Sequence, residues 1–528
     1  MTGSPVKRAN PAPSVRTCPF ARLPDGAGLP FRSVTRDATL GGFVPVGPRT
    51  NVPAEPDRRT SKTVRTAKYR REVTATTTSS AQSGTRPVSL LSAPYRAPTV
   101  GLVLVVTLVA FEALAVATAM PTAVRELHGL AYYSWPFTAF LGTSVIAMVL
   151  AGERADRRGP RGTLVAGLAV FAVGLVVAGT AGVMAVFVAG RAVQGLGAGA
   201  VIVSIYVLIA DVYGEEQRPR VFAAISAAWV VPSLVGPVVS GLLTEHLTWR
   251  LVFLGLVPFV VVGLLLVWPT LARLTPRDRP LNRRRLAPFA ALAAVGLAAL
   301  QYAGQHPRWA TLPLALAGVA ALVPALRRLL PRGTLLLRRG LPASLGYRGL
   351  LAGAFFGADT FIPFTLTEVH GYGAAAAGAP LVVAALGWFA GSWWQSRQAA
   401  PPRYLLVRAG CALIAVSAAA LVAVAWSGPP GWLAGPLWVF AGFGMGISIA
   451  SIGVLMLQLS PEGERGANGA ALQICDVLAS ATLVGLGGVL LTTVAAHGGS
   501  PSLGLTLIDA VMACVAAVGV LLAGRLRT

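Results

Sequence analysis

The chain has 528 residues, 55% of them hydrophobic and 12% charged, with a mean hydropathy of +0.67. That is too apolar for a water-soluble enzyme or binding module. The net charge of +24 does not make a nucleic-acid face, because 16 of the 44 basic residues precede Thr99 and most of the rest sit in short breaks between apolar runs, a distribution that orients membrane helices.

Residues 1 to 97 are rich in Pro, Arg, Ser, Thr and Gly, with no apolar run long enough for a signal peptide or span. They read as a disordered basic tail. From there to the C-terminus, fourteen apolar runs alternate with short polar breaks, each long enough to cross a hydrocarbon layer of about 30 Å. The predicted spans are 99–122, 133–151, 163–182, 184–209, 221–243, 251–270, 286–304, 309–329, 347–368, 375–396, 404–426, 432–458, 467–493 and 503–524. Alternate breaks hold nearly all the loop arginines, from Arg154 and Arg158 through Arg279 and Arg348 to Arg465, while the others hold only Arg125, Arg250 and Arg308. The positive-inside bias then puts both termini in the cytoplasm. All five histidines fall in or beside the opposite loops, where solvated side chains are the expectation.

In chain order, span one holds Glu112 near the bilayer midplane, where a carboxyl group out of water can load and release a proton. After span two comes GERADRRGPRGTL, read as a tight turn with Asp156 among arginines. Span four carries RAVQGLGAGA: Arg191 and Gln194 lie in an otherwise apolar run and should face a protein interior, since a charge in lipid is expensive. Gly195, Gly197 and Gly199 strip one side of that helix and let a neighbour approach closely. Span five contains Trp229 and then Gly236 and Pro237, the proline removing a backbone donor inside the helix. Span nine holds Asp359, span thirteen Asp476, and span fourteen Asp509. Trp229 and Asp476 are candidate cavity residues. Trp388, Trp393 and Trp394 in span ten read as packing and interface residues.

Gly442, Gly444, Gly446, Ser451 and Ile452 each stand 247 positions beyond Gly195, Gly197, Gly199, Ser204 and Ile205, and the register continues through Glu462 and Arg465. Seven identities without a gap predict two homologous halves. Asp359 is likewise 247 beyond Glu112. The offset exceeds six spans because spans seven and eight come between the halves. The expected fold is therefore an all-α polytopic membrane protein, two pseudo-symmetric six-helix bundles (98–270 and 344–528) with two additional spans in the linker 271–343.

Gly152, Asp156, Arg157, Gly159 and Arg161 match the loop pattern of the major facilitator superfamily, which the chain resembles from residue 99 onward. The Arg191 motif resembles that family's fourth-span motif, and Gly236-Pro237 the core of its antiporter motif, with Pro232 and Ser240 replacing two of its glycines. The six-two-six layout resembles its fourteen-span drug:proton antiporters. The resemblance implies two bundles rocking about a central site, a cytoplasmic latch at Asp156, and proton coupling through Glu112, Arg191 and Asp359. The expected function is proton-coupled export of an amphipathic small molecule across the cell membrane, without covalent chemistry, cofactor, metal or nucleic acid. Lysine ends at Lys68, so a Walker loop for ATP is absent. The alternatives are a proton-coupled uptake symporter and a non-transporting sensor.

Overall fold

A computed structural model describes residues 92–527 except 215–216, 275–285, 307, 398–401, 427 and 462–463. The basic tail to residue 91, Arg279, Glu215 and Glu462 lie outside the described residues, as do the side chains of Asp156, Arg218 and Arg465. Among the described residues, fourteen helices are long and apolar enough to cross a membrane. The first six are α1 (Ala93–Glu126), α2 (Trp135–Arg158), α3 (Pro160–Gly179), α4 (Met184–Val212), α5 (Arg218–His246) and α6 (Leu251–Leu254 continuing as Val257–Arg273). A hairpin of α7 (Ala287–Gln305) and α8 (Leu312–Leu329) follows. The last six are α9 (Leu341–Asp359 continuing as Ile362–Glu368), α10 (Ala374–Ser396), α11 (Arg403–Ala425), α12 (Ala434–Leu459), α13 (Arg465–Ala496) and α14 (Pro501–Leu522). Helices are the solution for single spans because hydrocarbon offers no partner to a backbone N–H or C=O.

Three boundaries differ from the sequence reading for identifiable reasons. α1 begins at Ala93, so residues 93–97 are helical; a proline sits in its first turn, where a missing N–H is harmless, and Tyr95 stacks on Tyr213 at 5.6 Å. The predicted loop 152–162 shrinks to one residue, Gly159, whose φ of 84° favours glycine and lets α2 and α3 follow directly on each other. α9 begins at Leu341, which carries Arg348 from the very edge of the predicted span 347–368 to about two turns inside a membrane helix.

The packing repeats. α4 lies against α2 and α3 as α12 lies against α10 and α11, and α1 lies against α5 and α6 as α9 lies against α13 and α14. Glycines make the first set close. A Cβ at Gly195 would strike Phe140 O, at Gly197 the backbone of Phe171, and at Gly199 Ser144 O; on α12, Gly442 and Gly446 press on Ala384 O and Trp388 O, and Gly444 faces Gly410 O. The first six and last six helices meet through α5 with α10 and α2 with α13. α7 touches both α2 and α13, whereas α8 packs mainly on α7 and is the least covered span.

Candidate functional site

In the interior of the first six helices, Arg191 on α4 forms an ion pair with Glu112 on α1, both covered from solvent at 2% and 0% exposure. The guanidinium has further fixed partners: Nη1 donates to Gln194 Oε1 at 2.9 Å, Nε donates to Pro136 O at 3.3 Å, and the group lies 4.4 Å over the Phe140 ring. Phe253 of α6 is 6.0 Å from it, and Phe253 packs edge-on to Phe187 and Trp249. Delocalised, weakly hydrated arginine suits such a dry, aromatic-walled place better than lysine would. Glu112 Oε2 and Gln194 Nε2 are buried without a hydrogen-bond partner. A buried pair with a spare acceptor can take a proton: the resulting neutral acid leaves Arg191 uncompensated.

The last six helices hold a counterpart. Asp359 on α9 accepts a hydrogen bond from Trp438 Nε1 on α12 at 2.7 Å. Acceptor and donor are 79 residues apart in both pairs, and Trp438 stands 247 beyond Arg191 as Asp359 does beyond Glu112. Phe355 stacks on Trp438 with centroids 5.1 Å apart, much as Phe140 covers Arg191. The geometry is shared and the chemistry is not, because an indole N–H holds a carboxyl group without a countercharge. The sequence points to Asp359 but not to Trp438, whose place 247 beyond Arg191 pairs it with Asp359 only once the Glu112–Arg191 contact is known.

Asp476, taken from sequence as a candidate cavity residue, is paired: Arg348 on α9 donates to its Oδ2 from Nε at 2.8 Å and Nη2 at 2.5 Å, with side-chain exposures of 14% and 15%. By sequence Arg348 stands at the edge of span 347–368 and groups with the loop arginines; the earlier helix start at Leu341 sets it deeper. Trp229, 247 before Asp476, is 40% exposed. A Cβ at Gly236 would meet Phe111 and Ala115 of α1 only at ordinary contact distance, and α5 stays helical through Pro232 and Pro237. Ser240, one turn on, donates to Ala115 O at 2.7 Å. Around the α2–α3 junction, a Cβ at Gly152 would just touch Val203, Arg161 lies 5.4 Å over the Trp268 ring, and Arg157 is half-buried. Glu153 beside them accepts from Leu286 N at 3.0 Å, tying the junction to the start of α7.

The halves are joined at the arginine-poor ends of the helices. Arg125 donates to Glu368 at 2.7 Å, Ala375 N donates to Glu245 at 3.2 Å, and the Tyr133 hydroxyl donates to Thr360 O at 2.9 Å. The Tyr133 ring packs on Phe361 and Phe364, and Gly485 and Gly488 receive Thr138 and Ser134. α7 reinforces this closure: Gln301 Nε2 donates to Ser134 Oγ at 2.9 Å, and Gln305 Oε1 accepts from Trp135 Nε1 at 2.5 Å.

Fourteen apolar helices, two interior carboxyl groups each held by a side-chain donor, and a seam between two sets of six define a polytopic membrane protein. The profile of the Major Facilitator Superfamily matches residues 102–484, and the chain belongs to that family. It is 28% identical over 291 residues to the multidrug transporter protein MdtP of Bacillus subtilis, covering 53% of each chain. It is 30% identical over 171 residues to the acurin A biosynthesis cluster MFS-type transporter of Aspergillus aculeatus, covering 32% of this chain and 31% of that one. The matched stretches thus span about half or less of these relatives' length. Among solved structures, a POT family transporter in complex with 5-aminolevulinic acid aligns with TM-score 0.59 at 13% identity, over 81% of this chain and 96% of that one. A D-xylose-proton symporter aligns with TM-score 0.55 at 16% identity, over 80% and 96%. These two likenesses concern the fold.

Proposed function

We propose that the protein exports an amphipathic small molecule in exchange for protons by alternating access. The observation that carries this reading is the buried Glu112–Arg191 pair with its counterpart Asp359–Trp438. Protonating Glu112 would leave the Arg191 charge without its partner in a dry interior, a penalty of several kcal/mol. That penalty is relieved if α1 and α4 rearrange, so one proton can bias the equilibrium between two packings. Asp359, held by a neutral donor, is proposed as a second proton-carrying group. Relatives named as an efflux transporter in Aspergillus oryzae and an efflux pump in Gibberella moniliformis support export, and Gly236-Pro237 on α5 is proposed to let that helix bend as the halves move. Residues 98–270 and 344–528 would be the moving bundles, with both termini and the Asp156 latch cytoplasmic under the positive-inside bias. The closed arginine-poor end would then be the outer mouth, and the cavity would face the cytoplasm, with Trp229 and the Arg348–Asp476 pair as candidate wall residues.

One charge moved through 100 mV supplies about 2.3 kcal/mol, enough for a gradient of roughly fifty-fold. The test is transport by everted vesicles under an imposed pH gradient, with Glu112→Gln alongside. Proton-driven accumulation lost in the variant supports the reading; coupled export undiminished in Glu112→Gln removes Glu112 from the scheme. Substrate moving down the proton gradient's own direction would mean an uptake symporter, the alternative that shares this fold.

A further inference from the structure

Away from the helix interior, a cleft of about 460 Å³ opens where the end of α14 meets the segment joining α8 to α9, lined by Arg339, Leu521, Leu522, Gly524, Arg525 and Arg527. All three arginines are exposed, and no carboxylate pairs with any of them among the described residues. Two are held in place. Arg525 Nη1 donates to Leu336 O at 2.5 Å, and Arg527 lies 4.7 Å over the Tyr404 ring. Three guanidiniums around one cleft repel one another unless an anion sits among them. Planar guanidinium groups suit phosphate oxygens in particular.

The second observation is apolar. Leu521 is 80% exposed, and Leu335 and Leu336, on the strand of chain that Arg525 holds, are 51% and 65% exposed. They stand immediately beside the arginines at the end of a membrane helix, the depth at which a lipid headgroup gives way to its acyl chains. A free phosphate ion would satisfy the guanidiniums but leave the leucines uncovered.

We propose that this cleft binds an anionic phospholipid, its phosphate among Arg339, Arg525 and Arg527 and its acyl chains along Leu336 and Leu521. The site would clamp the C-terminal turn to the segment entering α9. It involves neither carboxyl pair, so it stands independently of transport direction, and a nanodisc offers the same lipid on both faces, so it is independent of orientation too.

The test uses the full chain in nanodiscs of phosphatidylcholine, with and without phosphatidylglycerol, read by melting temperature and by lipid retained in native mass spectrometry. Phosphatidylglycerol should raise the melting temperature and remain bound to the wild type. Arg339→Gln with Arg527→Gln should weaken retention about thirty-fold, while Arg339→Lys with Arg527→Lys, which keeps the charge but loses the planar forks, should retain more lipid than the Gln pair and less than the wild type. Melting in pure phosphatidylcholine checks that the Gln variant is folded; if it is not, Leu521→Glu, which leaves the arginines intact and should also lose the lipid, decides the question. Equal retention by wild type and the folded Gln variant overturns the proposal. So does inorganic phosphate stabilising as much as the lipid, which would make this a site for a free anion.

Discussion

Two carboxyl groups 247 residues apart meet donors of different kinds, and this difference governs what each substitution should do. Glu112→Ala would strand Arg191 in a dry interior and should cost about 3–5 kcal/mol, read as a steep fall in melting temperature of the purified protein. Glu112→Gln keeps an acceptor for the guanidinium but cannot exchange a proton, so folding should survive better than coupling. Trp438→Phe keeps a ring against Phe355 while deleting the N–H that Asp359 receives, and should cost about 1–3 kcal/mol. If that variant melts and transports like the wild type, the indole acts through packing alone. Arg191→Lys should not substitute: an ammonium is a compact, strongly hydrated point charge, and cannot offer a planar fork to Glu112, Gln194 and Pro136 O together.

Among the helices, α4 and α12 depend most on what they lack. Gly195→Val and Gly442→Val would each force a side chain into a neighbouring backbone carbonyl, of Phe140 and Ala384. Both should abolish folded protein, seen as loss of a monodisperse peak on size-exclusion chromatography. Gly453→Ala on the same α12, with open space at its Cβ, should be silent. This close packing was legible in the sequence because glycine spacing survives as spacing: Gly195, Gly197 and Gly199 announce where a neighbour comes near. The count of spans was legible for the same sort of reason, since membrane thickness fixes the length of an apolar run. What the pattern could not convey was the partner. Trp438 looks like an ordinary apolar residue until it is set beside Arg191. Arg348 stood at the edge of a hydropathy window and so looked like one more loop charge, although a helix starting at Leu341 carries it inward to Asp476. The junction of α2 and α3 was misjudged as a loop because charged residues resemble loop residues by composition, while helix ends are decided by backbone torsion at one glycine.

The two sets of six helices meet along a seam bonded at the arginine-poor helix ends. Arg125 and Glu368 contribute one bond to it from each side. Arg125→Glu would set two carboxylates against each other and should reduce transport several-fold, and the swapped pair Arg125→Glu with Glu368→Arg should recover most of it. A swap no better than the single variant would mean that the ion pair does not help close the mouth. The hairpin of α7 and α8 adds a constraint that a bare pair of six-helix sets would not have. α7 is fastened to the start of α2 through Gln301 and Gln305 and rests its Gly304 on Val489 of α13, so it straddles the seam that the proposed cycle would part. Widening that end means snapping the glutamine bonds or carrying the strap along with one flank while it slips over the other. In the proposed cycle the strap would limit the stroke either way, and with it the girth of any cargo that could leave.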